Sequence, residues 1–353
     1  MKIGILTFHR AHNYGAVLQC YALQEVLKGM GHEVEVIDYR QKKIETDYNL
    51  SFRFFLKRII NPRKFLRYIK QYPKRRKYAD LFDDFTNKYL SLTLPCFTKK
   101  DIPKGYDIYV IGSDQVWNPE ITDGMDDVYT GGFRKDIYSR TIGYAISGKC
   151  KTIESMPVIE LKRISSHFDA ISFREDELGE AFANKSMKEY NIVLDPVLLT
   201  DSKMWDSMVN TSMKNDNYVL LYQVRLPKDK DFLKRKALIL AERLNCKLID
   251  LSEGNYSVKD FVSLFKYARY VITSSFHATA FSLVFRRPLF AVNLEDGHDS
   301  RYKDLLCRIG GQAMSVNMDF DPKPVELDYI SIAHNIDDLK QKSITFLRNS
   351  VST

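Results

Sequence analysis

The chain opens with an apolar run, Lys2 to Phe8, whose length and continuity fit a strand buried on both faces. A polar loop follows, His9-Arg10-Ala11-His12-Asn13-Tyr14-Gly15. Val17, Leu18, Tyr21, Leu23 and Leu27 then recur at helical spacing, which predicts a helix from about Ala16 to Met30, stopped near Gly29 and Gly31. Glu33 to Asp38, Asp107 to Ile111, Thr141 to Ile146 and Asp169 to Phe173 read as further strands, and Ile192 to Leu199 runs through Asp195-Pro196. After the polar segment Asp201 to Asn217 the alternation resumes. Strands are expected over Tyr218 to Val224, Lys247 to Leu251, Tyr270 to Thr273 and Leu289 to Val292, and helices over Lys230 to Leu244, Val258 to Tyr267 and Ala278 to Phe285. Ser257 followed by Asp260 predicts a capping box.

Such alternation predicts the α/β class: two doubly wound, Rossmann-like domains facing a cleft, with ligands at the carboxyl ends of parallel strands. The expected domains are 1–205, carrying a basic helical insertion at 48–100, and 206–330. A terminal helix within 331–353 is expected to cross back onto the first domain. At 353 residues, 44% hydrophobic and 12% aromatic, the chain is long enough for two cores and too apolar for global disorder. The five cysteines never stand at metal or redox spacing and are expected to be reduced. The first residues lack a long apolar segment, so a cytoplasmic location is expected.

Candidate chemistry clusters where strands end. Val271-Ile272-Thr273-Ser274-Ser275-Phe276-His277 brings hydroxyls and an imidazole to the start of a helix, where free N–H groups and the helix dipole favour an anion. The alternative is that a serine merely caps the helix while His277 is a satisfied core histidine. The loop holding Asn13, Tyr14 and Gly15 occupies the same topological place in the first domain, with Tyr14 able to stack on a sugar ring, or it is simply a tight turn. Gly112-Ser113-Asp114-Gln115-Val116-Trp117-Asn118 mixes planar hydrogen-bonding groups with an aromatic, as carbohydrate sites do; a turn around a buried Trp is the plainer reading. Arg174 stands at another strand end, placed to grip a carboxylate or phosphate, or to be capped by its acidic neighbours. His9 and His12 have no further ligands near them in sequence, so no metal is expected. There is no Walker A sequence, no Gly-x-Gly-x-x-Gly after the first strand and no Gly-x-Ser-x-Gly elbow.

Taken in order, Asn13-Tyr14-Gly15-Ala16-Val17-Leu18-Gln19, Gly112 to Asn118, Phe173-Arg174-Glu175, Asp195-Pro196-Val197 and Ser274-Ser275-Phe276-His277 resemble the polysaccharide pyruvyltransferases, from residue 1 to about residue 310. The resemblance implies a GT-B-like fold and transfer of pyruvate from phosphoenolpyruvate to a sugar of a cell-surface polysaccharide or its lipid-linked precursor, as a ketal, with no cofactor. His277 matches the family's catalytic histidine. Some members carry an arginine two positions earlier, where this chain has Ser275; Arg174, Arg225 and Arg301 are the substitutes for neutralising the donor phosphate. On this reading we expect a donor side of Arg174, Arg225, Ser274, Ser275 and Arg301 beside His277, and an acceptor side of Asn13, Tyr14, Asp114 and Trp117.

Charge adds one feature. Between Tyr48 and Ala79 there are eleven Lys and Arg and no Asp or Glu, more than the whole net charge of +8. Phe54, Phe55, Ile59, Ile60, Phe65 and Leu66 interleave with them and predict two short amphipathic helices broken by Pro62 and Pro73. Residues 52–78 are either a peripheral contact with the anionic inner face of the membrane, serving a lipid-linked acceptor, or a solvated flap using its apolar stripe for the core. Two other functions compete: a GT-B glycosyltransferase using a nucleotide sugar, and a nucleic-acid-binding protein. The second leaves the strand-end motifs unexplained, so no nucleic-acid partner is expected. Oligomeric state is left open.

Overall fold

The computed structural model describes residues 1–48, 62–214, 216–297, 299–325 and 327–352. Residues 52–61 of the suggested membrane segment therefore lie outside the described residues. The chain forms two compact units: one of Met1–Phe173 and Leu178–Tyr190, the other of Arg174–Glu177 and Asn191–Thr353.

In the first unit the elements are β1 (Lys2–Leu6), α1 (Tyr14–Gly29), β2 (Glu33–Val36), α2 (Lys42–Tyr48), α3 (Pro62–Tyr89), β3 (Ile108–Ile111), β4 (Asp114–Trp117), α4 (Pro119–Thr122), β5 (Arg140–Gly148), α5 (Cys150–Ser155), α6 (Val158–Ser165) and β6 (Ala170–Phe173). Strands lie side by side in the order β2-β1-β3-β5-β6, with β4 on β5, and every pair is parallel. The central strand β3 is buried along its whole length, as its unbroken apolar sequence requires. α1 starts because the Asn13 side chain accepts from the N–H of Gly15 and Ala16.

The expected pair of short helices is corrected in the described part: α3 is one helix of 28 residues that runs through Pro73. A proline removes one intrahelical hydrogen bond and crowds one carbonyl, and buried Ala79, Phe82 and Phe85 anchor the turns that follow it.

The second unit contains the start of α7 (Asp176–Ser186), then β7 (Asn191–Ile192), α8 (Pro196–Leu199), β8 (Tyr218–Tyr222), α9 (Phe232–Arg243), β9 (Lys247–Asp250), α10 (Val258–Tyr267), β10 (Tyr270–Thr273), α11 (Phe276–Val284), β11 (Leu289–Val292), α12 (Ser300–Arg308), β12 (Ser315–Val316) and α13 (Tyr329–Val351). Its sheet runs β9-β8-β10-β11-β12, again all parallel. One face packs Val219, Leu221, Ile272 and Val292 against Leu233, Ala237 and Leu240 of α9. The capping box at Ser257 and Asp260 is present in both directions.

Both sheets reverse their strand order beside the first strand of the unit, between β1 and β3 and between β8 and β10, the positions at which doubly wound sheets open a crevice for ligands. The unit boundary falls at residues 190/191, earlier than the expected 205/206, because α8 packs on α11 and α13. The terminal helix does meet residues that the sequence assigned to the first domain, but those residues are part of the second unit. Ser343 Oγ accepts from the Leu194 N–H at 2.9 Å, and Leu347 and Val351 are fully buried.

Candidate functional site

In the second unit, β10 ends at Thr273 and α11 begins at Phe276, with the reversal of strand order on the β8 side. Thr273 Oγ1 donates to Tyr222 O at 2.7 Å and accepts from Ser275 N at 3.0 Å, which locks the turn. Ser275 Oγ accepts from Ala278 N as the N-cap of α11. The N–H groups of Phe276 and His277 meet no acceptor among the described residues, so the positive end of the helix stays open to an anion.

His277 keeps 12% of its side chain exposed, so it is not a sealed core histidine. Its Nε2 stands 3.6 Å from Asp195 Oδ2, an ion-pair distance rather than a hydrogen bond. Asp195 is wholly buried and accepts from Arg174 Nη1 at 2.9 Å and from the Val197 N–H at 3.0 Å. Burial pushes its carboxyl up, but His277, Arg174 and that N–H outweigh burial and hold it well below the ordinary carboxylate range. A fixed negative charge is thereby set beside the imidazole of a residue in the first turn of α11.

Arg174 departs from its expected role. It is 2% exposed, bonded to Glu175 at 3.0 Å and to Asp195, and stacked with its guanidinium 4.3 Å from the Phe276 ring centre. A guanidinium so enclosed positions Asp195; it does not reach out to a donor phosphate. Arg225 is similarly engaged: it pairs with Asp296 and with Asp299 at 2.8 Å, and donates to Ser274 O at 3.0 Å while Ser274 Oγ donates back to Arg225 O. Ser274 and Ser275 thus shape the strand ends, and Arg301 stands partly exposed in the first turn of α12.

Asp304 of α12 carries a second electrostatic signature. Burial, then Glu177 and Asp176, raise it to about 6 against the pull of Arg308. Because the folded value lies above the ordinary value near 4, the folded state binds the extra proton, and stability falls as pH rises from about 4 to about 6. Asp304→Asn is therefore expected to raise Tm at pH 7.5 by roughly 2–4 °C, solvent screening of this half-exposed group keeping the effect near 1 kcal/mol, with the difference vanishing near pH 4. Thermal melts at the two pH values check it.

In the first unit, the loops after β1 and β3 meet: Thr7 Oγ1 donates to Ser113 O at 2.8 Å, and Gln19 reaches Thr7 Oγ1 at 2.9 Å. Gly112 has φ +110, and a Cβ there would stand 2.2 Å from Tyr144 O, so only glycine allows this close approach. Asp114 is held at φ 74, a strained geometry for a residue with a side chain, beside the strand-order reversal.

The other expected acceptor residues are placed differently. Trp117 is 0% exposed, donates to Tyr129 O at 2.9 Å and packs on Phe168, Phe173 and Phe182, so it offers no face to a sugar. Asn13 is committed to capping α1. Tyr14 is covered because α3 lays Tyr78 and Phe82 over it, with ring centres 6.3 and 5.0 Å away. The open edge of this aromatic cluster is instead His12 and Tyr48, whose rings lie 5.0 Å apart, with Tyr48 36% exposed. His9 belongs to a closed network: its Nε2 lies 2.9 Å from Asp38 Oδ1, and Asp38 also accepts from Arg10 and Arg40.

Several of these residues escaped the sequence reading. Asp195 sits in a motif already singled out, yet nothing in one sequence shows that it backs His277. Gln223, whose buried Oε1 has no hydrogen-bond partner among the described residues, directly follows β8 at the strand-order reversal, a position that marks it. Among the described residues no helix is long and apolar enough to cross a membrane.

A family model described as polysaccharide pyruvyl transferase matches residues 13–296. No curated protein matches the sequence significantly. Solved structures to which the chain is similar include the UDP-GlcNAc 2-epimerase from Neisseria meningitidis bound to UDP-GlcNAc, at 12% identity over 99% of this chain and 94% of that one, with a TM-score of 0.48. The UDP-GlcNAc 2-epimerase of Methanocaldococcus jannaschii in complex with UDP-GlcNAc and UDP gives 11%, 96%, 93% and 0.45 by the same measures. The E. coli heptosyltransferase WaaC with ADP-2-deoxy-2-fluoro heptose gives 11%, 83%, 88% and 0.35.

Proposed function

The chain belongs to the polysaccharide pyruvyl transferase family, and we propose that it moves pyruvate from phosphoenolpyruvate onto two hydroxyls of a sugar as a ketal. The observation that carries this reading is the line Arg174–Asp195–His277 ending at the open start of α11, because it joins a proton-exchanging ring to an anion-binding helix terminus. With Nε2 turned toward Asp195, the proton exchanged with substrate moves at Nδ1. The Asp195 carboxylate stabilises the ring while it carries positive charge.

His277 delivers a proton to the methylene carbon of the donor, which becomes a methyl group and leaves the central carbon electrophilic. A sugar hydroxyl adds to that carbon and gives its proton to the ring. Phosphate then departs with the C–O bond electrons, and a second sugar hydroxyl closes the ketal, its proton passing to the phosphate. The Phe276 and His277 N–H groups, Gln223 and Arg301 receive the donor's oxygens, the role that Ser275 cannot fill as a cation. On the acceptor side, His12, Tyr48 and Asp114 present the polar and aromatic groups a sugar needs. The basic turns of α3 would hold the enzyme to an anionic surface bearing a lipid-linked acceptor.

Phosphate release from phosphoenolpyruvate, measured across a panel of sugar acceptors, tests the reading. Release that requires both components, with ketal in the product, is expected. Sugar transfer from a nucleotide sugar, with no phosphate released from phosphoenolpyruvate, would replace it with the glycosyltransferase reading. Tyr48→Ala is expected to raise the acceptor KM about tenfold while leaving the phosphoenolpyruvate KM within about twofold, read from initial rates with each substrate varied in turn.

A further inference from the structure

A cavity of about 440 Å³ lies in the second unit, bounded by the segment after α8, the far end of α11 and the first turns of α13. The helix α11 sets it about 12 Å from His277 along the axis, at 1.5 Å per residue. We propose that this cavity is a second ligand site, which takes an organic phosphate: an anionic head on an apolar body.

Its volume falls within the range of small-molecule pockets. Arg287 lines it, half-buried, and its Nε is enclosed without a hydrogen-bond partner among the described residues. The Tyr329 hydroxyl on the same wall is also buried and has none among them. Desolvation lowers the pKa of Arg287, and the groups that offset it are the tyrosines 218, 267 and 329, not a carboxylate. A guanidinium half withdrawn from water, with no carboxylate paired to it among the described residues, carries a desolvation cost that an anion in the cavity would offset.

Arg286 gives an independent sign. At the stop of α11, Arg286 N bonds to Leu283 O and Arg287 N to Ser282 O, the pattern in which a left-handed glycine is favoured; Arg286 occupies that place at φ 52. Its exposed guanidinium stands at the cavity rim, as does Lys340. The carboxylates Asp201 and Asp337 also line the cavity; Asp201 accepts from Met204 N, and Asp337 faces solvent. Leu198, Phe285 and Ile332 supply buried apolar wall, which disfavours a bare hydrated ion and suits an organic phosphate.

Calorimetric titration and thermal shift of the full chain with phenyl phosphate and with inorganic phosphate test the site. Phenyl phosphate is expected to bind and raise Tm, with inorganic phosphate at least about tenfold weaker. Arg287→Met should raise the ligand-free Tm, because an uncompensated charge is removed, and weaken phenyl phosphate at least about tenfold. Arg286→Gln, an exposed change that leaves the core alone, should weaken it severalfold, while His277→Ala should leave it unchanged. Displacement by dioctanoyl phosphatidic acid would assign the head to a lipid, and binding of phenyl phosphate alone would assign it to a soluble metabolite. No binding by the parent, unaltered binding in both arginine variants, or loss of binding in His277→Ala would overturn the proposal. None of these readouts depends on turnover, so failure here is separable from failure of the pyruvyl-transfer reading.

Discussion

His277→Ala is expected to lower phosphoenolpyruvate-dependent phosphate release by about 10³-fold, the span that general acid–base catalysis by one positioned group contributes. The loss should fall on kcat, because the helix N–H groups proposed to receive the donor belong to the backbone and survive the substitution. The fold should survive too. The ring makes no hydrogen bond through Nε2 and keeps part of its surface open, so Tm should stay within a few degrees of the parent. Single-turnover assays beside thermal melts separate the two effects. Transfer at the parent rate in a folded His277→Ala protein would remove the ring from the mechanism.

Arg174→Met should be the most damaging change to stability. It strips the guanidinium from Asp195 and Glu175 in a site closed to water, and breaking a buried ion pair from one side costs about 3–5 kcal/mol. A Tm loss of roughly 5–15 °C at pH 7 follows. Since the Asp195 carboxyl is held below its ordinary range, its contribution is present above about pH 4 and disappears as the solution turns acid, so the gap between parent and variant should narrow there. Pairing Arg174→Met with Asp195→Leu removes both charges and should recover much of the stability but none of the turnover. A double variant that regains activity would show that Asp195 only props the fold.

The strands and most helices were legible because a parallel strand covered on both faces is an unbroken apolar word, as in Ile108 to Ile111 and Tyr270 to Thr273. His277 was legible for a related reason: topology puts the residue after such a strand at a carboxyl end. What one sequence could not show is which polar side chains turn inward. Asn13, Ser274 and Arg174 are polar residues in the expected places, yet each spends its hydrogen bonds on the scaffold. Trp117 and Tyr14 resemble platforms in the sequence because an aromatic beside polar groups looks the same whether it lines a surface or plugs a core. Only the layering of Phe173, Phe182, Tyr78 and Phe82 over them decides. The single helix through Pro73 is not legible in the sequence because proline is strong local punctuation, while the packing that holds the turns beyond it is not written locally.

The lock between Ser343 and Leu194 joins positions 149 apart in the sequence, one residue from the aspartate that backs the imidazole. During synthesis that aspartate emerges from the ribosome long before its support does. The first unit can consolidate while the chain is still growing, but the second unit must wait for its last helix to be released. A nascent chain arrested before Ser343 should therefore expose its second half to protease while its first half resists digestion.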